Sequence, residues 1–361
     1  MKHFLLISAF ILSFCTTLSA QKPKLKYTEA TQLTLVGKLM PGTPNPYHRI
    51  DTTAFKGFTA TENFQVRMSA GMAVAFRTNS SRVAVRATFG QISTPDNATH
   101  FTARGFDLYC RHSSRDSWLW AGSGVIGKSG ELVLVSNMTS ASKEFILYLP
   151  LFSEVQSVQV GVDGNSDLQP LPNPFRHRIA IFGSSFTHGS ATGRAGMTYP
   201  AQFARLTGLQ LLGLGCSGNC KLQPYFAKAL AAAPDIDAFI FDSFSNPSIS
   251  EIKDRLFPFI ETIQAAHPGV PLIFQRTIYR EHRNFDQAYN KREAERMAVA
   301  DSMMRIATKR YPNVYYIHPN ATADDHNSTI DGTHPSNYGY TLWAHSIVKP
   351  ITKILKKYNL H

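Results

Sequence analysis

The segment RIAIFGSSFTHG, residues 178–189, joins an apolar run to two consecutive hydroxyl side chains. Residues 179–182 are continuously apolar, which is typical of a strand buried on both faces of a parallel sheet. Gly183 then begins a turn of small residues. Either the strand simply ends in turn formers, or Ser184 and Ser185 present a nucleophile at the carboxyl edge of the sheet, where such sheets bind their ligands.

The sequence after this segment alternates between strand-like and helix-like patterns. LQLLGLG, DAFIFDSF, PLIFQRTI and VYYIHP read as strands, and YPAQFARLTG and SEIKDRLFPFIETIQAA are among the helix-like runs between them. Strands that alternate with helices indicate a parallel sheet covered on both faces. We therefore predict an α/β domain with three layers, α/β/α, over residues 178–361.

The first half carries short strand-like runs instead. MAVAFRT and VAVRATFG lie on either side of NSSR at residues 79–82, and we expect these two runs to form a hairpin. GFDLYCR, WLWAGS, ELVLVS, EFILYLPL and VQSVQVGV follow at short spacing. Many short strands without a helical period predict a β-sandwich of jelly-roll type over residues 21–166. The three prolines of residues 167–177 indicate a linker.

The beginning of the chain and its charge bear on location and partners. Residues 1–20, MKHFLLISAFILSFCTTLSA, predict a secretory signal peptide cleaved after Ala20, and hence a secreted or periplasmic protein. No later segment is apolar enough to span a membrane, so we expect no stable membrane insertion. The net charge of +12 comes from scattered Lys and Arg, apart from a short C-terminal KILKKY, so we expect no nucleic-acid partner.

Three cysteines follow the predicted cleavage site. Cys216 and Cys220 flank a Ser-Gly-Asn turn, and export would permit a disulfide between them. Cys110 is the third thiol, and either member of the pair also fits as a small apolar residue packed against the sheet. The sequence leaves both interpretations of this pair open.

Four short blocks fall at strand ends or before the last helix of the second half: GSSFTHG, GLGCSGNC, FDSFSNPS and DGTHPSNYG. Each block alone is an ordinary turn. Together they supply what acyl transfer requires, which is a nucleophile, a base, a group that orients the base, and donors for an oxyanion.

The roles follow from the residue types. Ser185 is the predicted nucleophile and His334 the base that accepts its proton, and Asp331, three residues before His334, orients the imidazole. The oxyanion donors are predicted to be the backbone N–H groups of Ser185 and Gly218 and the side-chain amide of Asn246.

Other polar residues near these blocks have weaker claims. His188 lies three residues after Ser185 without a nearby acid, so we interpret it as a residue of the cleft wall rather than the base. Arg194 is either a solvated loop charge or a substrate contact. The segment DDHNSTIDGTH offers three Asp and two His, but its spacing fits no familiar set of metal ligands, so no metal site is predicted.

These blocks resemble the SGNH (GDSL-type) hydrolase superfamily, which is named for its Ser, Gly, Asn and His. Two positions differ from the common pattern: Ser184 stands where Asp is usual, and Pro247 rather than Asp follows Asn246. The residues that match the superfamily are Ser185, Gly218, Asn246, His334 and, in the Asp-x-x-His block, Asp331.

A narrower resemblance covers nearly the whole mature chain. RGFDLYCR, residues 104–111, resembles the Gly-x-Asp-Leu-Tyr signature of a β-rich domain that precedes such hydrolases, and RAGMTYPAQFARLTG and LGCSGN match the same two-domain bacterial group. Asp107 and Tyr109 share one face of this strand, and we expect that face to contact the hydrolase half.

The resemblance implies a secreted esterase of the carbohydrate esterase type, and we expect a serine mechanism without metal or cofactor. The motifs do not identify the substrate, but the export signal and the sandwich domain favour short acyl groups, O-acetyl above all, on a small molecule or polysaccharide. One alternative is a lipid esterase or lysophospholipase, which would need a long apolar groove. Another alternative is a non-catalytic glycan-binding protein. Loss of the Ser, Asn or His would have indicated it, but all three residues are present.

Overall fold

The computed structural model of the protein describes residues 24–360. The predicted signal peptide, residues 1–20, lies outside them. Antiparallel strands dominate the first half of the described chain, and parallel strands alternate with helices in the second. None of the helices between residues 24 and 360 is long and apolar enough to cross a membrane.

The first half forms two facing antiparallel sheets. One has the strand order β1-β9-β4-β7, and the other has the order β10-β3-β8-β5-β6, with β2 also paired to β3. Val74 and Phe76 of β3 share one buried cluster with Val83 and Val85 of β4, so the core lies between the sheets and the predicted sandwich is confirmed. The elements are Leu25–Glu29 (β1), Thr34–Val36 (β2), Ala60–Arg67 (α1), Ala73–Thr78 (β3), Val83–Ile92 (β4), His100–Arg104 (α2), Gly105–Arg111 (β5), Leu119–Val125 (β6), Leu132–Val135 (β7), Lys143–Tyr148 (β8), Ser153–Asp163 (β9) and Leu168–Pro170 (β10).

The predicted hairpin between β3 and β4 is wrong, although both strands exist. β3 pairs with β8 in one sheet, and β4 pairs with β9 in the other. The connecting turn is held by Asp163, whose carboxylate accepts hydrogen bonds from the hydroxyls of Ser80 and Ser81 and from Arg82 Nε, at 3.0, 2.7 and 2.6 Å. These hydrogen bonds stabilise the turn in which the chain passes from one sheet to the other.

The second half contains a five-stranded parallel sheet with the order β12-β11-β13-β14-β15. β11 therefore has a neighbour on each side. The elements are Arg176–Gly183 (β11), Ser185–His188 (α3), Tyr199–Thr207 (α4), Leu209–Gly215 (β12), Pro224–Ala231 (α5), Ala238–Asp242 (β13), Ile249–Ala266 (α6), Leu272–Gln275 (β14), Gln287–Arg310 (α7), Val314–Ile317 (β15) and Asn337–Lys356 (α8).

Alternation along β11 produces the three layers. Ile179 and Ile181 pack in a buried cluster with residues of α4 and α8, whereas Ala180 and Phe182 pack in another cluster with α5, α6 and α7. Successive side chains of a strand point to opposite faces, so one short apolar run anchors helices on both sides. The predicted α/β/α architecture is confirmed.

The two halves share buried surface. Ala73 and Ala75, which alternate with the inward-facing residues of β3, belong to the same cluster as Ile179 of the parallel sheet. The Pro-rich segment 167–177 is partly ordered in the sandwich, since β10 within it pairs with β3. The sandwich is thus packed against α4, where Arg205 Nη1 donates to the Tyr148 hydroxyl at 3.1 Å. Ile50 and Val66 of the first half also join the cluster on the opposite face, with α5, α6 and α7.

Candidate active site

Three strand ends of the parallel sheet meet at one edge. Gly183 at the end of β11 lies beside Gly215 of β12 on one side and Asp242 of β13 on the other. The three predicted strand-end blocks therefore emerge next to one another, as the topology of a parallel sheet requires.

Two of these positions require glycine. A Cβ atom on Gly183 would lie 2.0 Å from the Thr187 hydroxyl oxygen, and one on Gly215 would lie 2.1 Å from the backbone nitrogen of His188. Both clashes would be with the short helix α3, which begins at Ser185. Glycine at the two strand ends allows α3 to sit directly on the sheet edge.

Ser184 connects this turn to the neighbouring strand. Its Oγ accepts a hydrogen bond from the Phe186 N–H at 3.2 Å and donates one to Asp242 Oδ2 at 2.7 Å, and its own N–H donates to the same oxygen at 3.2 Å. Burial raises the pKa of Asp242 to about 6, against the opposing effect of these hydrogen bonds. The carboxylate of this turn therefore comes from β13 rather than from position 184.

The loop before α8 orients its own acid and base. Gly332 adopts a φ of +73°, and the Ile330 N–H donates to the His334 carbonyl at 2.9 Å. Asp331 Oδ1 accepts the N–H groups of Thr333 and His334 at 3.0 and 2.7 Å. The backbone of this tight loop fixes the carboxylate beside the imidazole.

The structure brings Ser185, His334 and Asp331 into one hydrogen-bonded chain. Ser185 Oγ lies 2.9 Å from His334 Nε2, and His334 Nδ1 lies 2.8 Å from Asp331 Oδ2. Because a carboxylate can only accept, the consistent tautomer carries its proton on Nδ1 and leaves Nε2 to accept the serine proton. This is the geometry that activation of a serine nucleophile requires.

Asp331 is held in its ionised form. Burial by itself would raise the pKa of Asp331, but hydrogen bonds from the His334 side chain and backbone and from Asn97 outweigh burial and hold the pKa well below its usual range. A permanently charged acceptor therefore faces His334 Nδ1.

Gly218 and Asn246 lie in the loops after β12 and β13, at the same sheet edge as Ser185. Gly218 has a φ of +73° with open space where a Cβ would be. Asn246 Oδ1 is buried and finds no hydrogen-bond partner within residues 24–360. Within the described part of the chain, neither residue forms a hydrogen bond with Ser185, so their role as oxyanion donors stays a prediction.

His188 does not lie on the cleft wall, contrary to the expectation from sequence. Its side chain is fully buried, stacks on Phe152 at 4.2 Å between ring centroids, and bonds the Leu151 carbonyl through Nε2 at 2.8 Å and Ser217 Oγ through Nδ1 at 3.1 Å. Burial and the nearby Arg49 lower the pKa of His188 to about 3. It is a neutral residue between the two halves, not a substrate contact.

Arg194 forms an ion pair within the protein, and its role as a substrate contact stays a prediction. Its Nη1 donates to both carboxylate oxygens of the buried Asp107, at 3.0 and 2.8 Å, and to the Tyr109 hydroxyl at 2.7 Å. The Gly196 N–H also donates to Asp107. The expectation that the polar face of β5 contacts the hydrolase half is confirmed.

Asn97 is a site residue that the sequence analysis missed. It lies between β4 and α2 in the sandwich half, and its Nδ2 is 2.9 Å from Asp331 Oδ2 and 3.0 Å from His334 Nδ1. Its surroundings, TPDNATH, read as an ordinary loop, and nothing in them signals a contact with residues more than 200 positions away.

Two further predictions concern the cysteines and the potential metal ligands. Cys110, Cys216 and Cys220 are free thiols, so no bridge fixes the Ser-Gly-Asn turn. Among residues 24–360, no group of three or more His, Cys, Asp or Glu side chains is arranged to hold a metal ion. In the DDHNSTIDGTH segment, His326 instead pairs with Glu281 at 2.7 Å.

Two family models match the chain, one over each half. The model of the GDSL-like lipase/acylhydrolase family matches residues 176–352, and the model of the N-terminus of SGNH-hydrolase-type esterases matches residues 25–168. None of the curated proteins compared with the chain matches it significantly.

Solved structures resemble the chain over nearly its whole length. A GDSL-like lipase from Bacteroides ovatus is 36% identical, with a TM-score of 0.86 over 92% of this chain and 98% of that one. A salicylyl acyltransferase from a tetracycline biosynthetic pathway is 19% identical, with a TM-score of 0.68 over 91% and 97%. A family two carbohydrate esterase from Cellvibrio japonicus is 13% identical, with a TM-score of 0.58 over 92% and 98%. The last two similarities concern the fold.

Proposed function

The chain belongs to the GDSL-like lipase/acylhydrolase family and is an ester-hydrolysing enzyme, and on that premise we propose that it is a serine esterase that removes short acyl groups, O-acetyl above all, from carbohydrate. The observation that carries the proposal is the chain of hydrogen bonds from Ser185 through His334 to Asp331, at 2.9 and 2.8 Å.

In the first half-reaction, His334 Nε2 accepts the proton of Ser185 as its Oγ attacks the ester carbonyl. Asp331 stabilises the imidazolium that forms. His334 then gives the proton to the departing alcohol, and the acyl group remains on Ser185. In the second half-reaction, water loses a proton to His334 and attacks the acyl carbonyl, which releases the acid and restores the serine.

The tetrahedral intermediates carry a negative oxygen that needs donors. In this proposal the backbone N–H groups of Ser185 and Gly218 and the amide of Asn246 supply them. Gly218 suits this role because the space beside its Cα is open, which permits a substrate to approach the backbone closely. Loss of one such donor typically costs about 2.7–4 kcal/mol of transition-state stabilisation.

The space beside the acid–base pair is short and open. A cavity of about 530 Å³ next to Asp331 is lined by Asp96, Asn97, Ile330 and Asp331, and Ile330 is its one hydrophobic residue. A lipid esterase would be expected to have a long apolar groove there. The similarity of the fold to family two carbohydrate esterases also supports a sugar as the alcohol.

A panel of esters tests this proposal. We expect hydrolysis of p-nitrophenyl acetate to exceed that of the butyrate and octanoate esters, and release of acetate from acetylated oligosaccharides, both absent in Ser185→Ala. Preference for octanoate without release from oligosaccharides would favour the lipid esterase. A folded wild-type protein that hydrolyses none of these esters would refute the proposal.

Export of the enzyme is part of the same proposal. It rests on the signal-like sequence of residues 1–20, which lies outside the described residues. N-terminal sequencing of protein recovered outside the cytoplasm is expected to begin at Gln21, and retention of Met1 would contradict it.

A further inference from the structure

Asn97 is the point at which the β-sandwich half reaches the acid–base pair of the hydrolase half. Its Nδ2 donates to Asp331 Oδ2 at 2.9 Å, the same oxygen that accepts the His334 Nδ1 proton at 2.8 Å. Nδ2 also lies 3.0 Å from His334 Nδ1, and because both nitrogens carry protons directed at the same carboxylate oxygen, this second contact is not a hydrogen bond. With the amide turned the other way, its oxygen could accept from Nδ1 but would face the charged carboxylate oxygen at 2.9 Å, and two acceptors repel each other. The geometry therefore favours nitrogen as the atom facing Asp331.

This contact completes the set of donors to Asp331. The loop backbone binds Oδ1 through two N–H groups, and Asn97 and His334 share Oδ2. A carboxylate whose Oδ1 alone is bound by the loop can still rotate about Oδ1, and this rotation would move Oδ2. A second donor on Oδ2, separate from His334, fixes the direction in which this oxygen meets the imidazole.

The segment that carries Asn97 is itself held in place. The Ser93 N–H donates to the Phe152 carbonyl at 2.9 Å, and the Ala98 N–H closes a turn on the Pro95 carbonyl at 2.8 Å. Just beyond it, the Thr102 hydroxyl donates to the Thr192 carbonyl in the hydrolase half. The amide of Asn97 is therefore delivered by a segment attached on both sides of the boundary between the halves.

We propose that Asn97 is a positioning residue for the Asp331–His334 pair, so that the β-sandwich half supplies part of the active site rather than serving only as an attached module. This proposal rests on the proposed function. Asn97 acts through Asp331 and does not touch the reacting atoms, so its loss should slow acyl transfer more than it weakens substrate binding.

A double-mutant cycle tests the proposal, with Asn97→Ala, Asp331→Ala and the double variant in the full chain. Asn97→Ala is expected to lower kcat for p-nitrophenyl acetate about 10- to 100-fold, with a smaller change in KM, and to slow labelling of Ser185 by an alkyl fluorophosphonate similarly. In the Asp331→Ala background the same change should cost less than about twofold, because the group through which Asn97 acts is gone.

Two further variants separate positioning from general disruption. Asn97→Asp keeps the shape but loses the donor, so it should be at least as impaired as Asn97→Ala. Thr94→Ala, an exposed change in the same segment, should behave as wild type. Wild-type kcat in Asn97→Ala, or losses that multiply in the double variant, would overturn the proposal. Absence of both hydrolysis and labelling in the wild type would instead refute the proposed function.

Discussion

Arg194 and the fully buried Asp107 form an ion pair across the boundary between the two halves, with Nη1 2.8 and 3.0 Å from the two carboxylate oxygens. Burial raises the pKa of Asp107, and the positive charge of Arg194 opposes that shift. Asp107 of the GFDLY strand thus joins the sandwich to the loop that follows α3.

Removal of Arg194 should therefore destabilise the protein. Arg194→Ala leaves the buried Asp107 carboxylate without its nearest counter-charge, a change that typically costs about 3–5 kcal/mol when one member of a buried pair is removed. Urea unfolding measures the loss, and Arg115→Ala, an exposed arginine whose side chain makes no hydrogen bond or ion pair in the described part of the chain, is the matched control. Equal stability of both variants would show that the pair contributes little.

Ser185→Ala is expected to abolish both ester hydrolysis and labelling by an alkyl fluorophosphonate, because it removes the only oxygen placed 2.9 Å from His334 Nε2 in the described structure. Mass spectrometry of the labelled wild type should locate the adduct on Ser185. Equal labelling of the variant would place the nucleophile elsewhere.

His334→Ala should lower kcat by about 10⁶-fold and a change at Asp331 by about 10⁴-fold, the order found when a base and its orienting acid are removed from serine hydrolases.

Wild-type activity should fall as the pH is lowered, because protonated His334 cannot accept the Ser185 proton. His188→Ala should lose stability yet keep far more activity than His334→Ala, since the buried His188 side chain bonds Leu151 and Ser217 rather than Ser185. A folded His188→Ala as inactive as His334→Ala would contradict this assignment.

Asp242 predicts a pH dependence of stability. Its pKa is raised from 3.8 to about 6, so the folded state binds the proton more tightly than the unfolded state. The contribution of this group to stability is therefore present at the acid end and is lost as the pH rises from about 4 to 6, by up to about 3 kcal/mol. Urea unfolding at several pH values measures this. The free energy of unfolding of the wild type should decrease over this pH range, and that of Asp242→Asn should not. The same pH dependence in both proteins would refute the prediction.

Dialysis against a strong chelator should leave turnover unchanged, because His334 activates the nucleophile and protein groups supply the proposed oxyanion donors. The measurement is the rate with p-nitrophenyl acetate before and after dialysis. A loss that added divalent ion restores would show that the reaction depends on a metal.

The sequence by itself determined the fold class and the three residues of the hydrogen-bonded chain, Ser185, His334 and Asp331. The apolar run of β11 carries Ile179 and Ile181 on one face and Ala180 and Phe182 on the other, so a strand pattern alone indicated a sheet covered on both sides. The carboxyl ends of parallel strands share one edge, so Ser185 could be placed there from its position after the strand. Asp331 and His334 are three residues apart, and a local turn sufficed to join them.

Only the tertiary structure decided the contacts between distant segments. Asn97 meets Asp331 across 234 positions, Arg194 meets Asp107 across 87, and Ser184 meets Asp242 across 58. The pairing of β3 with β8 rather than with β4 is likewise a contact between distant segments that the sequence did not indicate. Local pattern fixes which way a side chain faces within its own strand, but which element packs against that face depends on the burial of the whole chain, and no short segment contains that information.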